Sequence, residues 1–181
     1  MFDFSRNYFE LFGMPVDFLL DTGELAARYR ELQKVVHPDR FAAAGGHSQR
    51  LSLQSATMVN EAYEWLKDPL KRAQYLLGLK GVETDGQQQT LNDPAFLMEQ
   101  MELREALAGV REASDPQAEL DVLLRQISQM IKTQVAQLAV QFEDSSPAQL
   151  AAAAQTVQKM QFLNKLLAEA EAVDAELEEG C

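Results

Sequence analysis

Apolar residues recur at helical spacing through every long stretch of this chain, and nothing in the sequence indicates a β-strand. The first clear run spans residues 24–36, where apolar side chains fall at i, i+4, i+7 and i+11: Leu25, Tyr29, Leu32 and Val36. This spacing places all four on one face of an α-helix. The fold class is therefore predicted to be all-α.

A second helical run follows a segment, 42–48, that is predicted to be a flexible loop. Its core face consists of Ser52, Ser55, Ala56, Val59, Ala62, Tyr63 and Leu66, and Asp68-Pro69 closes it. Small residues on one half of that face favour a close crossing with the first helix, so the two should form an antiparallel hairpin. Short helices near 7–13 and over 69–78 are expected to flank the hairpin.

The second half of the chain predicts three helices that pack as a small bundle. Asp93 precedes Pro94, which is typical of a capped helix with proline at its first position. A long helix from about 115 to 142 repeats Leu120, Leu124, Ile127, Ile131, Leu138 and Phe142. The last helix begins near 145–147 and runs to about Leu177, with a stripe made of Leu150, Val157, Met160 and Leu167.

The tripeptide His37-Pro38-Asp39 directly follows the first helix of the hairpin. The proline ring disfavours helical geometry at His37 and removes a backbone donor, so the imidazole and the carboxylate should project beyond the helix end. Taken alone, the pair His-Pro is also an ordinary stop signal for a helix. Its functional meaning therefore depends on the rest of the chain.

Charge divides the chain into two parts. Residues 1–80 contain ten basic and ten acidic residues, whereas 81–181 contain six and eighteen and so hold the whole net charge of −12. The polar segment 81–90 lies at this change and is the best candidate for a domain boundary. Nucleic acid is an unsuitable partner, since the only clustered cations are Arg28, Arg30 and Lys34.

No metal site, cofactor or membrane segment is expected. Cys181 is the single cysteine, so it has neither a disulfide partner nor a metal-ligand spacing, and His47 lies in the predicted loop. The chain begins without a basic start or an apolar signal core, and no run approaches a membrane span. A soluble, cytoplasmic protein is the expectation.

The helix that starts at Pro94 has more apolar residues than one core stripe requires. Phe96, Leu103, Leu107 and Val110 form that stripe. Leu97, Met98 and Met101 fall outside it beside Glu102 and Glu105, and such an adaptable patch with a polar rim is typical of a docking surface. Phe162 and Leu166 lie off the stripe of the last helix and are predicted to extend the patch. The alternative is that these residues are core residues of an all-round buried helix, or that they contact the first half of the chain.

The first half of the chain resembles the J domain of DnaJ-type co-chaperones. The resemblance rests on three blocks in the right order, which are 7–13, the helix ending at 37–41, and 59–73. It implies binding to a DnaK-like ATPase chaperone, with His37, Pro38 and Asp39 triggering ATP hydrolysis on that partner. The same resemblance makes Arg28, Arg30 and Lys34 the docking charges. No catalytic residue belongs to this chain itself.

The second half is similar to the HscB family, since it lacks the Gly/Phe-rich segment and the Cys-x-x-Cys repeats of general DnaJ proteins. The segments 91–106 and 159–166 support this. The resemblance implies a J domain over 1–80, a linker over 81–92 and a three-helix scaffold-binding domain over 93–181, arranged as an L. HscB proteins deliver the iron–sulfur scaffold IscU to the chaperone HscA. The implied scaffold-binding residues are Leu97, Met98, Met101, Glu102, Glu105 and Phe162.

Three alternatives remain at this point. A J-domain adaptor for another client would keep the hairpin and change the partner of the bundle. A hydrolase using His37 as a base and Asp39 as its orienter lacks a nucleophile, and the intervening proline hinders the geometry of such a dyad. A purely structural helical spacer leaves the His-Pro-Asp turn unexplained.

The short extension 1–6 and the absence of the N-terminal zinc-binding cysteines of eukaryotic relatives favour a bacterial-type protein.

Overall fold

The regular structure of this chain is helical throughout the described residues, as predicted. A computed structural model describes residues 5–36, 46–82 and 93–179, with side chains described in those ranges except over 46–49. No strand occurs within these ranges. The chain divides into two units, Met1–Leu79 and Lys80–Cys181, and each is described by itself. His37, Pro38, Asp39 and most of the predicted linker, 83–92, lie outside the described residues.

The described residues of the first unit form four helices: α1 (Tyr8–Leu11), α2 (Thr22–Val36), α3 (Gly46–Lys67) and α4 (Pro69–Leu79). Asn7 starts α1 with a capping box, in which its Oδ1 accepts from the amide of Glu10 and its own amide donates to Glu10 Oε2, both at 3.0 Å. Asp68 separates α3 from α4, and its Oδ1 accepts the amide of Leu70 at 2.8 Å. Local caps therefore fix where these helices begin.

Helices α2 and α3 form the predicted antiparallel hairpin. Ser52, at the start of α3, donates from Oγ to the carbonyl of Val36 at 2.8 Å, whereas Tyr29, nearer the start of α2, stacks on Tyr63 with ring centroids 4.1 Å apart. The small residues Ser52 and Ser55 are buried, as are Val59 and Ala62. Close crossing at small residues thus holds the hairpin together, as the sequence predicts.

The predicted loop at 42–48 is wrong at its end, because α3 already begins at Gly46. Glycine is tolerated at a helix terminus, where it breaks no ladder of backbone hydrogen bonds. No proline follows Gly46 within α3. The helix is stabilised by the packing of its buried face, which starts at Ser52, and it continues from there towards its N-terminus. The glycine-rich composition therefore led to a predicted loop that ends at 48, after the observed start of α3 at Gly46.

The second unit contains α5 (Pro94–Gly109), a 3₁₀ turn (Val110–Glu112), α6 (Pro116–Glu143) and α7 (Pro147–Glu179). Asp93 caps α5, as predicted, with its Oδ1 accepting the amide of Phe96 at 3.1 Å. Asp115 caps α6 in the same way through the amide of Ala118 at 3.1 Å. In both helices a proline occupies the first turn, where its missing amide costs nothing.

The core of the bundle is close to the predicted one, with two differences. Phe96, Leu103 and Val110 are buried, and Leu107 packs beside them, as expected. On α6 the buried residues are Leu120, Leu123, Ile127 and Leu138, whereas the predicted core residues Leu124, Ile131 and Phe142 are half-buried.

Leu166 does not extend the docking patch, because it is only 1% exposed and belongs to the core cluster together with Leu163 and Ala170. The apolar stripe predicted for this helix, which runs through Val157 and Met160, did not include Leu166 as a core residue. The helix contacts both α5 and α6, so its buried face turns around its axis along its 33 residues. Two packing partners require a wider apolar face than one stripe supplies.

Candidate docking surfaces

The end of α2 is anchored directly before the His-Pro-Asp motif. Val36 is the last residue of α2 and is buried, and its carbonyl oxygen accepts the hydroxyl of Ser52 from α3. Residues 37–39 themselves lie outside the described part of the chain. The hairpin therefore holds the backbone that leads into the motif.

The predicted docking charges on α2 have different environments. Arg30 and Lys34 lie one turn apart on the exposed side of the helix. The ammonium of Lys34 is 2.8 Å from Oε1 of Glu31, and this hydrogen bond lowers the pKa of Glu31 below its usual value. Both side chains of that pair are largely exposed, so a charged partner could readily replace the contact.

Arg28 is bound within the first unit. Its Nη1 donates to the carbonyl oxygens of Phe12 at 2.6 Å and Gly13 at 2.5 Å, and its Nη2 lies 2.5 Å from Oε1 of Glu24. It therefore ties α2 to the end of α1. Gly13 has φ +62, and a Cβ there would lie 2.9 Å from Arg28 Nη1, so glycine suits this turn on two counts. The sequence did not indicate this structural task for Arg28.

The apolar patch on α5 is exposed, and the core alternative is wrong for its three apolar members. Leu97 is 44% exposed, Met98 65% and Met101 63%. Glu102 and Glu105 are exposed beside them. On a helical projection these five residues lie on the side of α5 opposite Phe96, Leu103 and Val110, which are buried. We call these five residues the α5 face.

Phe162 of α7 lies at one margin of the α5 face and is half-buried. Its ring meets the ring of Phe96 edge-on, with centroids 5.9 Å apart and planes at 86°. The guanidinium of Arg104 lies 5.3 Å from the centre of the Phe162 ring. Arg104 follows Met101 by one turn, so it connects Phe162 to the α5 face. The sequence analysis missed Arg104, because its role depends on how α7 packs against α5.

The described residues hold no cluster of three or more metal-ligating side chains. Over the same ranges, no helix is both long enough and apolar enough to cross a membrane. What the molecule presents instead is a pair of exposed helical surfaces, one on each unit. Such surfaces are suited to binding other proteins.

Family models match both units of the chain. A DnaJ domain matches residues 7–75, and the C-terminal oligomerisation domain of HscB matches residues 92–171. The protein is therefore a J-domain co-chaperone.

Relatives define the family more narrowly. A co-chaperone protein HscB homolog of Vibrio cholerae is 46% identical over 171 residues, which cover 94% of this chain and 98% of the relative. The solved chaperone HscB from Vibrio cholerae matches with a TM-score of 0.84 at 44% identity, covering 95% of this chain and 99% of the other. Human co-chaperone HscB matches with a TM-score of 0.86 at 30% identity, covering 95% and 84%. The chain belongs to the HscB family of co-chaperones, which confirms the resemblance.

Proposed function

We propose that this chain acts in iron–sulfur cluster biogenesis, delivering an IscU-type scaffold protein to an HscA-type chaperone and stimulating the ATPase of that chaperone. The scaffold binds the α5 face together with Phe162. The chaperone binds the exposed side of α2, and the His37-Pro38-Asp39 motif triggers hydrolysis on it. The hydrolytic chemistry belongs to the partner, and this chain positions two proteins.

The observation that supports the scaffold site best is the exposure of Leu97, Met98 and Met101 on a helix whose opposite side is core. Placing large apolar side chains in water forgoes about 1.5–3 kcal/mol each relative to burial. A partner that covers them recovers this free energy on binding. The flexible thioethers of the two methionines also allow the surface to adapt to the shape of a partner.

Charge adds selectivity to this surface. Glu102 and Glu105 edge the apolar residues, and the second half of the chain carries the whole net charge of −12. A partner with basic residues around an apolar patch would be attracted and oriented by these carboxylates. A partner with an acidic surface would be repelled.

For the chaperone contact, Arg30 and Lys34 present positive charge on the exposed side of α2, shortly before the His-Pro-Asp motif in the sequence. An acidic surface on the ATPase would complement them. Arg28 supports this surface by fixing α2 to the end of α1. We therefore assign Arg30 and Lys34 the larger share of the docking charge.

Isothermal titration of the full chain with a cluster-free IscU-type scaffold tests the first site. Leu97→Ala combined with Met98→Ala should weaken the affinity by about ten-fold or more, since it removes two apolar anchors. Val140→Ala is the matched control, because Val140 is 63% exposed and belongs to α6, which contributes no residue to the α5 face. Equal loss in the control, or no binding by the intact chain, would contradict the proposal. Binding of a different client at the α5 face would leave the J-domain adaptor as the alternative.

A further inference from the structure

A small pocket lies in the second unit, beyond the C-terminal end of the α5 face. It has a volume of about 220 Å³ and is formed where the end of α5 and the 3₁₀ turn meet the start of α6. Val110 and Leu123 are buried and form its floor, whereas Val122 is 54% exposed on the rim. A cavity of about 150 Å³ lined by apolar residues holds a benzene ring. This pocket is therefore of the size for one apolar side chain.

The pocket is continuous with the α5 face. Its α5 wall consists of Ala106 and Gly109, which follow Glu102 and Glu105 by one turn on the same side of the helix. A partner seated on the α5 face therefore reaches the pocket by extending past Glu105. Phe162 and Arg104 lie at the opposite margin of that face, so the pocket would widen the contact onto α6.

The charge around the pocket indicates which residues of the partner lie next to the side chain that enters it. Among the described residues that line the pocket, Glu119 is the only charged one. Its carboxylate makes the α6 side of the rim negative. Arg111, in the adjoining 3₁₀ turn, is paired with Glu176 of α7. The surroundings therefore favour a segment that carries a basic residue next to its apolar one.

We propose that this pocket is a second anchor point for the scaffold protein, receiving one apolar side chain that is flanked by a basic residue. The proposal rests on the function proposed above, because the occupant belongs to the same partner. It adds Gly109 and Val122 to the binding residues and extends the docking surface from α5 and α7 to α6.

Gly109 offers a direct way to block the pocket. A Cβ at this position meets nothing within 4 Å, and its backbone is in the right-handed helical region, with φ −80 and ψ −12. Gly109→Phe should therefore be accommodated without strain and place its ring over the opening. Gly109→Ala is the matched control, since it changes the backbone freedom in the same way and leaves the pocket open.

Val122 supplies an independent variant on the other wall. Val122→Gln makes the rim polar, and Val140→Gln makes the same change about five turns further along the same side of α6. Both positions are exposed, so neither variant should disturb the core. Thermal unfolding of each variant, followed by circular dichroism, verifies this.

The test is the affinity of the full chain for a cluster-free IscU-type scaffold. Gly109→Phe should weaken it by about ten-fold and Val122→Gln by about three- to ten-fold, with both controls within about two-fold of the unaltered chain. If both pocket variants bind like the unaltered chain while Leu97→Ala with Met98→Ala does not, the pocket proposal is wrong and the scaffold function stands. If the unaltered chain fails to bind the scaffold, both proposals are wrong.

Discussion

The ammonium of Lys159 on α7 lies 2.6 Å from Oδ2 of Asp93, the residue that caps α5. The same ammonium lies 5.1 Å from the centre of the Phe96 ring. Asp93 thus accepts a hydrogen bond from Lys159 with one oxygen and from the amide of Phe96 with the other. This arrangement fixes the helix that carries the α5 face to the longest helix of the bundle.

The Asp93 contact should make stability depend on acidic pH. The hydrogen bond from Lys159, followed by that from the Phe96 amide, lowers the pKa of Asp93 in the folded chain. A lowered pKa stabilises the fold above the unfolded value of about 4, and the contribution is lost as the pH falls through the folded value. Asp93→Asn keeps the cap and removes the charge.

We therefore expect the urea midpoint of Asp93→Asn to lie below that of the unaltered chain at neutral pH and to converge with it in acid. A difference that persists unchanged below the folded pKa would show that the lost charge is not its cause. Lys159→Met removes the ammonium both from Asp93 and from the face of the Phe96 ring, so its midpoint should approach that of the unaltered chain in acid but stay below it.

Substitutions on the α5 face should affect the free energy of unfolding much less than substitutions in the core. Leu97→Ala and Met98→Ala should each change the free energy of unfolding by at most about 0.5 kcal/mol, because both side chains are exposed. Leu103→Ala, on the opposite side of the same helix, should cost about 2–5 kcal/mol. Chemical denaturation of the three variants measures this. A loss of several kcal/mol in Leu97→Ala or Met98→Ala would show that the side chain is buried and contradict its place on the α5 face.

Substitutions of Leu166 and Phe162, which lie four residues apart on α7, should also differ in their cost to stability. Leu166→Ala should cost about 2–5 kcal/mol, since the side chain is 1% exposed within the core cluster. Phe162→Ala should cost less, because its ring is only half-buried, and should weaken scaffold binding. Comparing unfolding with scaffold affinity distinguishes the two roles. Reduced affinity of a fully folded Leu166→Ala chain would contradict the core assignment.

Substitutions of Arg28 and Arg30 should have different effects, one on stability and the other on chaperone stimulation. Arg28→Ala removes hydrogen bonds to two carbonyl oxygens and an ion pair, so it should destabilise the first unit by about 1–3 kcal/mol. Arg30→Ala should leave unfolding unchanged and weaken stimulation of the chaperone ATPase. Denaturation and the ATPase rate, measured on both variants, decide this. Loss of stability in Arg30→Ala would contradict its assignment as a docking charge.

Tyr8 should be the source of a stability change at alkaline pH. Its amide donates to the Tyr75 hydroxyl at 2.9 Å, and the two rings stack 4.4 Å apart. Burial, reinforced by the nearby charge of Glu61, raises the pKa of Tyr8 to about 12.

A raised pKa stabilises the fold fully below the unfolded value of about 10, and this contribution is lost as the pH rises to about 12. Tyr8→Phe has no phenol at this position to ionise, so its stability should decline less over that interval. Denaturant midpoints of both proteins across the interval measure the effect. Parallel declines in the two would contradict the assignment to Tyr8.

Helical periodicity was sufficient to predict the hairpin and the three-helix bundle. It also separated the α5 face from the core stripe of its helix, but the exposure of that face was decided only by the structure. It failed at Leu166, where α7 contacts two helices and one stripe no longer describes the buried face. The structural contacts of Arg28 were not predicted, for a related reason. Its charge is visible in the sequence, but its carbonyl partners at Phe12 and Gly13 are set by tertiary packing. The beginning of α3 was displaced because glycine favours both loops and helix termini.

The pocket beside Gly109 was also beyond reach of the sequence. Ala106, Gly109 and Val122 are small or singly exposed apolar residues, which on their own need no explanation. Only the packing of α5 against α6 brings them together. Surfaces built from two helices require the tertiary structure, whereas a surface on one helix is visible in its periodicity.

The most direct test of the account is the steady-state ATPase rate of an HscA-type chaperone with IscU-type scaffold and the full chain. We predict strong stimulation by the unaltered chain, its loss in His37→Gln, and weaker stimulation when Leu97→Ala and Met98→Ala are combined. Stimulation of a general DnaK-type chaperone alone would contradict the iron–sulfur function and retain the J domain. Full stimulation by His37→Gln would contradict the proposed role of the His-Pro-Asp motif.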